Sequence, residues 1–395
     1  MPEPVHTDPA PIKGLNLDVA EGSGAPSPIR LANIGWSLLL SLSVLLVIGY
    51  FTFDLAAFRQ MLVALNPWLL TGAFAMVGLR ILFGGWRLSY ISGDSLSFMA
   101  GLRAQLAWDF SSNITPSLVG GAPLAAVYIS HDSKVGHGKP ITVGDATALM
   151  TFVMVLDQIW FALSVPFVLV MAMYIEVIPA SLGKVGLWTS VAYFLGFMVW
   201  TTIFTYATLV RPDLLVGIAD RICRLRLLRR FREPVAKEMR QFQKRAYILR
   251  AKPARFFFHG MLLTVGTWMA RYLLMVFVVW SVYAELDKFL FFMRSAALTL
   301  GSLILPTPGG AGGIEGLYAV FLGPLMPKAL VVPTLLLWRT LAYYIFLAFG
   351  VFLSTHHVQK TLRHKKHQAL PLTGNPPLSR LPADILSSET VENEG

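Results

Sequence analysis

The sequence predicts an all-α polytopic membrane protein, with about six full transmembrane helices and two broken or re-entrant hairpins in an inverted repeat. Three observations lead there. Of the 395 residues, 55% are hydrophobic and only 14% charged, where soluble domains carry about 25% charged residues. Apolar runs long enough to enter a bilayer recur along the chain. Two of them are interrupted by the same proline-glycine motif, and broken backbone at membrane depth is tolerated only where protein or a wet cavity covers it.

Taken in order, residues 1–34 hold six prolines and little apolar content, and read as a disordered cytoplasmic arm. The first span is 35–53, uncharged; it starts too late for a cleaved signal peptide and reads as a retained helix. The second is 67–86, with Arg80 inside it. Residues 89–129 are apolar but broken at Thr115-Pro116 and Gly120-Gly121, which predicts two short helices meeting at a turn. Spans follow at 143–174, with Asp157 mid-way, and at 185–210. A basic insert, 211–255, carries 14 Lys or Arg against 4 Asp or Glu. The span at 256–282 contains Arg271, the second broken hairpin occupies 288–321, and the last span is 331–354. Residues 356–395 form a His- and Lys-rich cytoplasmic tail, so the membrane domain is 35–355.

The repeat is read from spacing. NITPSLVGG at 113–121 and PTPGGAGG at 306–313 share TP-x-x-x-GG, with Pro116 and Pro308 192 positions apart (308 minus 116). Arg80 and Arg271 are offset by 191, and Arg103 and Arg294 precede their prolines by 13 and 14 residues. Repeat one thus covers about 66–174 and repeat two about 256–354. Basic flanks mark the cytoplasmic side, which places the insert and both termini inside. The first hairpin then enters from the cytoplasm and the second from the opposite face. Inverted repeats with discontinuous helices meeting at mid-depth are the architecture of alternating-access carriers.

Several residues carry candidate chemistry. Arg80 and Arg271 sit in apolar spans, where a central arginine costs at least about 2.5–3.5 kcal/mol. They either grip an anionic group through bidentate bonds or form structural ion pairs with Asp157 or Glu315. Arg103 and Arg294 join the list through the repeat. Glu315, after the glycine turn, either caps a half-helix or acts with Asp157 as a proton or counter-charge relay. Asn113, Thr115, Gly120, Gly121, Thr307, Pro308, Gly309, Gly310, Gly312 and Gly313 would shape a pocket and offer bare N–H groups to a phosphate at the half-helix starting at Gly313; the bland reading is close helix packing. Asp109 and Asn113 also read as polar groups that satisfy a helix end. The insert holds two amphipathic stretches, 213–231 and 233–249, expected to lie on anionic inner-leaflet lipid.

The net charge of +11 does not point to nucleic acid, because the basic residues cluster at helix flanks and in one loop. Cys223 is the one cysteine, and His356, His357, His364 and His367 lack metal-site spacing, so no metal and no cofactor is expected. GxSxG, P-loop and HExxH motifs are absent. The pattern P-x-P-G-G-x-G-x-x-E at Pro306–Glu315, with NITPSLVGG before it, resembles the transmembrane region of bacterial lysylphosphatidylglycerol synthases and the wider flippase-like family of stand-alone membrane proteins. That resemblance covers about 35–355 and implies movement of a lipid between leaflets. The full synthases add a soluble domain that transfers lysine from charged tRNA. The 40 residues after position 355 (395 minus 355) are too few for such a domain, so that activity is not implied. The expectation is therefore a non-enzymatic lipid carrier of the inner membrane whose partner is a phospholipid with an anionic headgroup. The alternatives are a membrane-embedded transferase using Asp157 or Glu315 as base, or an accessory subunit of a lipid-biosynthesis enzyme. A homo-oligomer is compatible with each.

Overall fold

A computed structural model describes residues 59, 62–63, 65–115, 121–135, 141–224 and 232–348. The expected first span, the N-terminal arm and the tail lie outside them. The described residues form eleven α-helices and no strand: α1 (Pro67–Ser92), α2 (Phe98–Ile114), α3 (Ala122–Val135), α4 (Val143–Met171), α5 (Gly183–Thr205), α6 (Pro212–Cys223), α7 (Arg232–Arg250), α8 (Ala254–Trp280), α9 (Lys288–Ser302), α10 (Gly313–Phe321) and α11 (Lys328–Arg339). Five stretches are long and apolar enough to cross a membrane: Pro67–Ser92, Val143–Met171, Ala180–Thr208, Ala254–Trp280 and Lys328–Ala348. Five of the six expected spans are therefore in place.

Local signals set the helix starts. Asn66 accepts from the N–H groups of Trp68 (3.0 Å) and Leu69 (3.4 Å), and Pro67 opens α1. Thr142 caps α4 through Asp145, and Asp287 caps α9 through Phe289 and Leu290. Past Thr205 the α5 backbone widens into a π turn, Tyr206–Val210, and α11 does the same at Thr340–Tyr344. Such turns interrupt helices most often near functional residues.

α1 and α8 form the central pair and run antiparallel. The Asn66 N–H donates to Ser281 O (2.7 Å) at one end, while at the other Gly260 faces Ile91. Between these points Gly72 meets the Phe277 ring and Gly266 the Phe83 ring, small residues that bring the helices close. α1 opens the first repeat and α8 the second, so matched helices pack head to tail, as an inverted repeat requires. Each is followed by two shorter helices and a further span: α2, α3 and α4, then α9, α10 and α11.

The insert marks one end of the bundle. Arg245 donates to Ser92 O (2.6 Å), and Glu238 accepts from the Gly144 N–H (2.5 Å), which ties α7 to the end of α1 and the start of α4. Hairpin α2–α3 starts just after that end of α1 and returns to the start of α4. Hairpin α9–α10 enters from the other end, where Lys288 lies over Trp280 (4.7 Å). The tips meet part-way down: the Gly309 N–H donates to Thr115 O at 3.2 Å.

One expectation about the insert needs correction. The second amphipathic stretch does not simply lie on a lipid surface, because α7 buries Phe242, Ala246 and Leu249 against the protein. α6 does leave Leu214, Ile218 and Ile222 exposed on one face. Leu225 lies outside the described residues.

Candidate functional site

The end of α2, the turn at Gly309 and the α1–α8 crossing line a cavity of about 240 Å³. Its charged lining is Arg80, Arg87, Arg271, Arg339, Asp109 and Asp157, drawn from α1, α2, α4, α8 and α11. Neutral polar groups come from α2 (Gln105, Ser112 and Asn113), α8 (Thr267) and α9 (Thr299 and Ser302).

The charges are arranged as pairs with one cation over. Arg80 donates to Asp109 Oδ1, whose other oxygen accepts from Gln105 Nε2 (3.2 Å). Arg87 donates to Asp157 Oδ1 (2.5 Å) and to Thr264 (3.2 Å), and the Trp268 indole N–H reaches the same Asp157 oxygen (2.7 Å). Arg339 closes on Glu315 through Nε (2.8 Å) and Nη2 (2.6 Å), and its Nη1 points to Gly309 O at 3.5 Å. Arg271 is different. Its nearest carboxylate oxygen is Asp109 Oδ1 at 3.7 Å, the atom Arg80 already holds. Its side chain is 34% exposed, against 3–4% for the other three.

Aromatic rings back the guanidiniums. Arg271 lies over Trp268 (4.7 Å), Arg339 over Tyr343 (4.7 Å), Arg80 over Phe346 (4.5 Å) and Arg87 over Trp108 (5.7 Å). Stacking leaves a guanidinium edge available for in-plane hydrogen bonds, the geometry that suits a phosphate or carboxylate fork. With three of the four edges spent on carboxylates, the one open to a ligand belongs to Arg271.

The expected residues divide as follows. Arg80, Arg271, Asn113, Gly309 and Asp157 line the cavity. Thr115 ends α2 and accepts the Gly309 N–H, so the two TP motifs meet. Thr307, Pro308, Gly310, Gly312 and Gly313 build the turn behind Gly309 and do not line the cavity. Gly309, Gly310 and Gly312 have φ of 57°, 67° and 85°, a region that excludes most side chains. Gly121 follows the bland packing reading: a Cβ there would come within 2.3 Å of Ser112 N. Gly120 lies outside the described residues.

Three assignments are corrected. Arg103 is exposed on α2 and away from the cavity. Its register explains this, since six residues from Asp109 at about 100° each put it on another face. Arg294 is buried but spends its guanidinium on Glu176 O (2.8 Å) and Phe321 O (3.0 Å), eight residues and about 12 Å along α9 from Ser302. Glu315 is fully buried: one oxygen accepts the Gly312 N–H (2.8 Å) and the other takes Arg339. The half-helix N-terminus expected to draw phosphate is filled by the protein's own carboxylate. The ion-pair reading also changes partners, because Asp109 rather than Asp157 or Glu315 serves Arg80 and Arg271.

Arg87 and Arg339 were missed. Both are arginines within or beside apolar runs, the signal that flagged Arg80 and Arg271; Arg87 falls one residue past the expected span end. Among the described residues no group of three or more His, Cys, Asp or Glu is placed to hold a metal ion.

Residues 36–350 match the family model described as the lysylphosphatidylglycerol synthase TM region. The chain belongs to this family. The match spans both hairpins and every described charge at the cavity, so the membrane region of that family is what these helices build. No curated protein and no solved structure matches the chain. Within the lysylphosphatidylglycerol synthase TM family, the arginine cavity is thus defined here by geometry alone.

Proposed function

We propose that the protein carries a phospholipid, or a related phosphate-bearing amphiphile, between the leaflets of the cytoplasmic membrane. The headgroup passes through the cavity while the acyl chains stay in the bilayer. The observation that carries this reading is Arg271, a half-open guanidinium at membrane depth beside the meeting point of two oppositely inserted hairpins. A cation there is costly unless something anionic visits it. An incoming phosphate draws Arg271 away from the carboxylate it shares with Arg80, and Arg80 keeps Asp109 neutralised meanwhile. The Thr115–Gly309 contact is the natural partition between the two sides, and separating the tips on one side at a time gives alternating access. No chemical step is required of the protein in this account. Basic flanks at the insert support an orientation with that end, and both termini, cytoplasmic, where the insert meets anionic lipid.

The test is leaflet exchange of a labelled phospholipid in liposomes holding the purified protein. Exchange above protein-free liposomes is expected, with a fall of at least about tenfold in folded Arg271→Ala. Exchange at the wild-type rate in that variant would remove Arg271 from the path.

A further inference from the structure

We infer that the cavity accepts a headgroup whose only charge is its phosphate, and turns away one that also bears an ammonium. This rests on the lipid-carrier reading and names the substrate class for the same site.

Four guanidiniums, Arg80, Arg87, Arg271 and Arg339, meet three carboxylates, Asp109, Asp157 and Glu315, which leaves one positive charge (four minus three). The surplus is localised. Arg80, Arg87 and Arg339 each hold a carboxylate closely, whereas Arg271 has only a 3.7 Å ion pair to the Asp109 oxygen that Arg80 already holds. A phosphodiester carries one negative charge and balances the site.

An ammonium finds no carboxylate with spare capacity. To offset its charge away from water it needs a carboxylate with spare capacity or an open aromatic face. Asp109 already serves Arg80, Gln105 and the approach of Arg271; Asp157 serves Arg87 and Trp268; Glu315 is enclosed between Arg339 and the Gly312 N–H. The rings of Trp108, Trp268 and Tyr343 each have a guanidinium over them, and Trp338 stacks on Tyr318 at 5.5 Å and has Arg339 at 5.8 Å. Meanwhile the buried lining atoms with no hydrogen-bond partner among the described residues include two donors, Arg87 Nε and Trp338 Nε1, and one acceptor, Gln105 Oε1. The unpaired donors favour an oxygen-rich ligand, and a neutral amide oxygen does not offset the charge of an ammonium.

The test is exchange of four lipids with identical acyl chains in liposomes containing the full chain. Phosphatidylglycerol and phosphatidic acid carry phosphate alone; phosphatidylethanolamine and phosphatidylcholine add a cation. The first pair should exchange at least about tenfold faster than the second, the discrimination expected when one member of a charged contact goes unpaired. Thr299→Asp places a carboxylate in the lining and should shrink or invert that ratio. Equal exchange of all four would overturn the headgroup selection and leave the carrier reading intact, whereas exchange of none would end the carrier reading. An unchanged ratio in folded Thr299→Asp would also overturn the inference. A variant-free arm covers misfolding of that substitution: in detergent, glycerol phosphate should raise the melting temperature of the wild-type protein and phosphoethanolamine should not. Equal stabilisation by both would contradict the proposal, and stabilisation by glycerol phosphate without exchange of any lipid would mark a soluble-phosphate site instead.

Discussion

Arg271 differs from the three arginines around it in one respect, the lack of a carboxylate of its own, and its variants should differ accordingly. Arg271→Lys keeps the charge but loses the fork, so exchange should persist at a reduced rate while Arg271→Ala abolishes it, both with near wild-type melting. Arg87 and Asp157 should behave in the opposite way. Either Arg87→Ala or Asp157→Asn leaves a buried partner uncompensated and should cost about 3–5 kcal/mol of stability, read as a lowered melting temperature in detergent. Replacing both by apolar residues should recover much of that loss. At this scale the sequence was readable where a charge stood out against apolar neighbours, as Arg80, Arg271 and Asp157 do. It was not readable for pairing. Asp109 looked like one more polar group near a helix end, and only the packing of α2 against α1 brings it to Arg80. Arg294 shows the converse, since its place in the repeat pointed to a site and its hydrogen bonds are structural.

The hairpins combine a local signal with a tertiary contact. Their TP-x-x-x-GG motifs announced broken helices, and α2–α3 and α9–α10 are broken where expected. That the tips touch is a tertiary fact without a local signal. Gly309 is the position most sensitive to it. A Cβ there would sit 2.4 Å from the Tyr343 ring and 2.9 Å from Asn113 O, at a φ of 57° that side chains rarely adopt. Gly309→Ala should therefore cost about 1–3 kcal/mol and slow exchange, with melting and exchange measured on one preparation. The insert responds to pH instead. Asp220 accepts from Arg224 (2.7 Å) and Arg232 (3.0 Å), and these hydrogen bonds hold its carboxyl below the usual 3.8. A depressed carboxylate pKa adds stability above the unfolded value, and that stability is lost as pH falls through the folded one. Amide exchange in α6 and at the start of α7 should accelerate below about pH 3.8, and Asp220→Asn should remove the dependence.

For the molecule as a whole, the antiparallel α1–α8 pair is the decisive feature. It brings Arg80 and Arg271, 191 positions apart in sequence, to one level, and it makes the two hairpins enter from opposite ends. The inversion was legible only through span counting and basic flanks. The contacts from Asn66–Ser281 to Ile91–Gly260 show that α1 and α8, the helices the repeat reading matches, run antiparallel. Under the proposed carrier function, an antiparallel pair around one charged cavity lets the same cavity face each side in turn. The most direct check is two-sided labelling of a cavity residue, Thr299→Cys, in a Cys223→Ser background reconstituted in oriented liposomes. A membrane-impermeant thiol reagent should modify the residue from either side, with the rate from each side lowered by an exchanging lipid. Labelling confined to one side under all lipid conditions would contradict a carrier and describe a dead-end pocket.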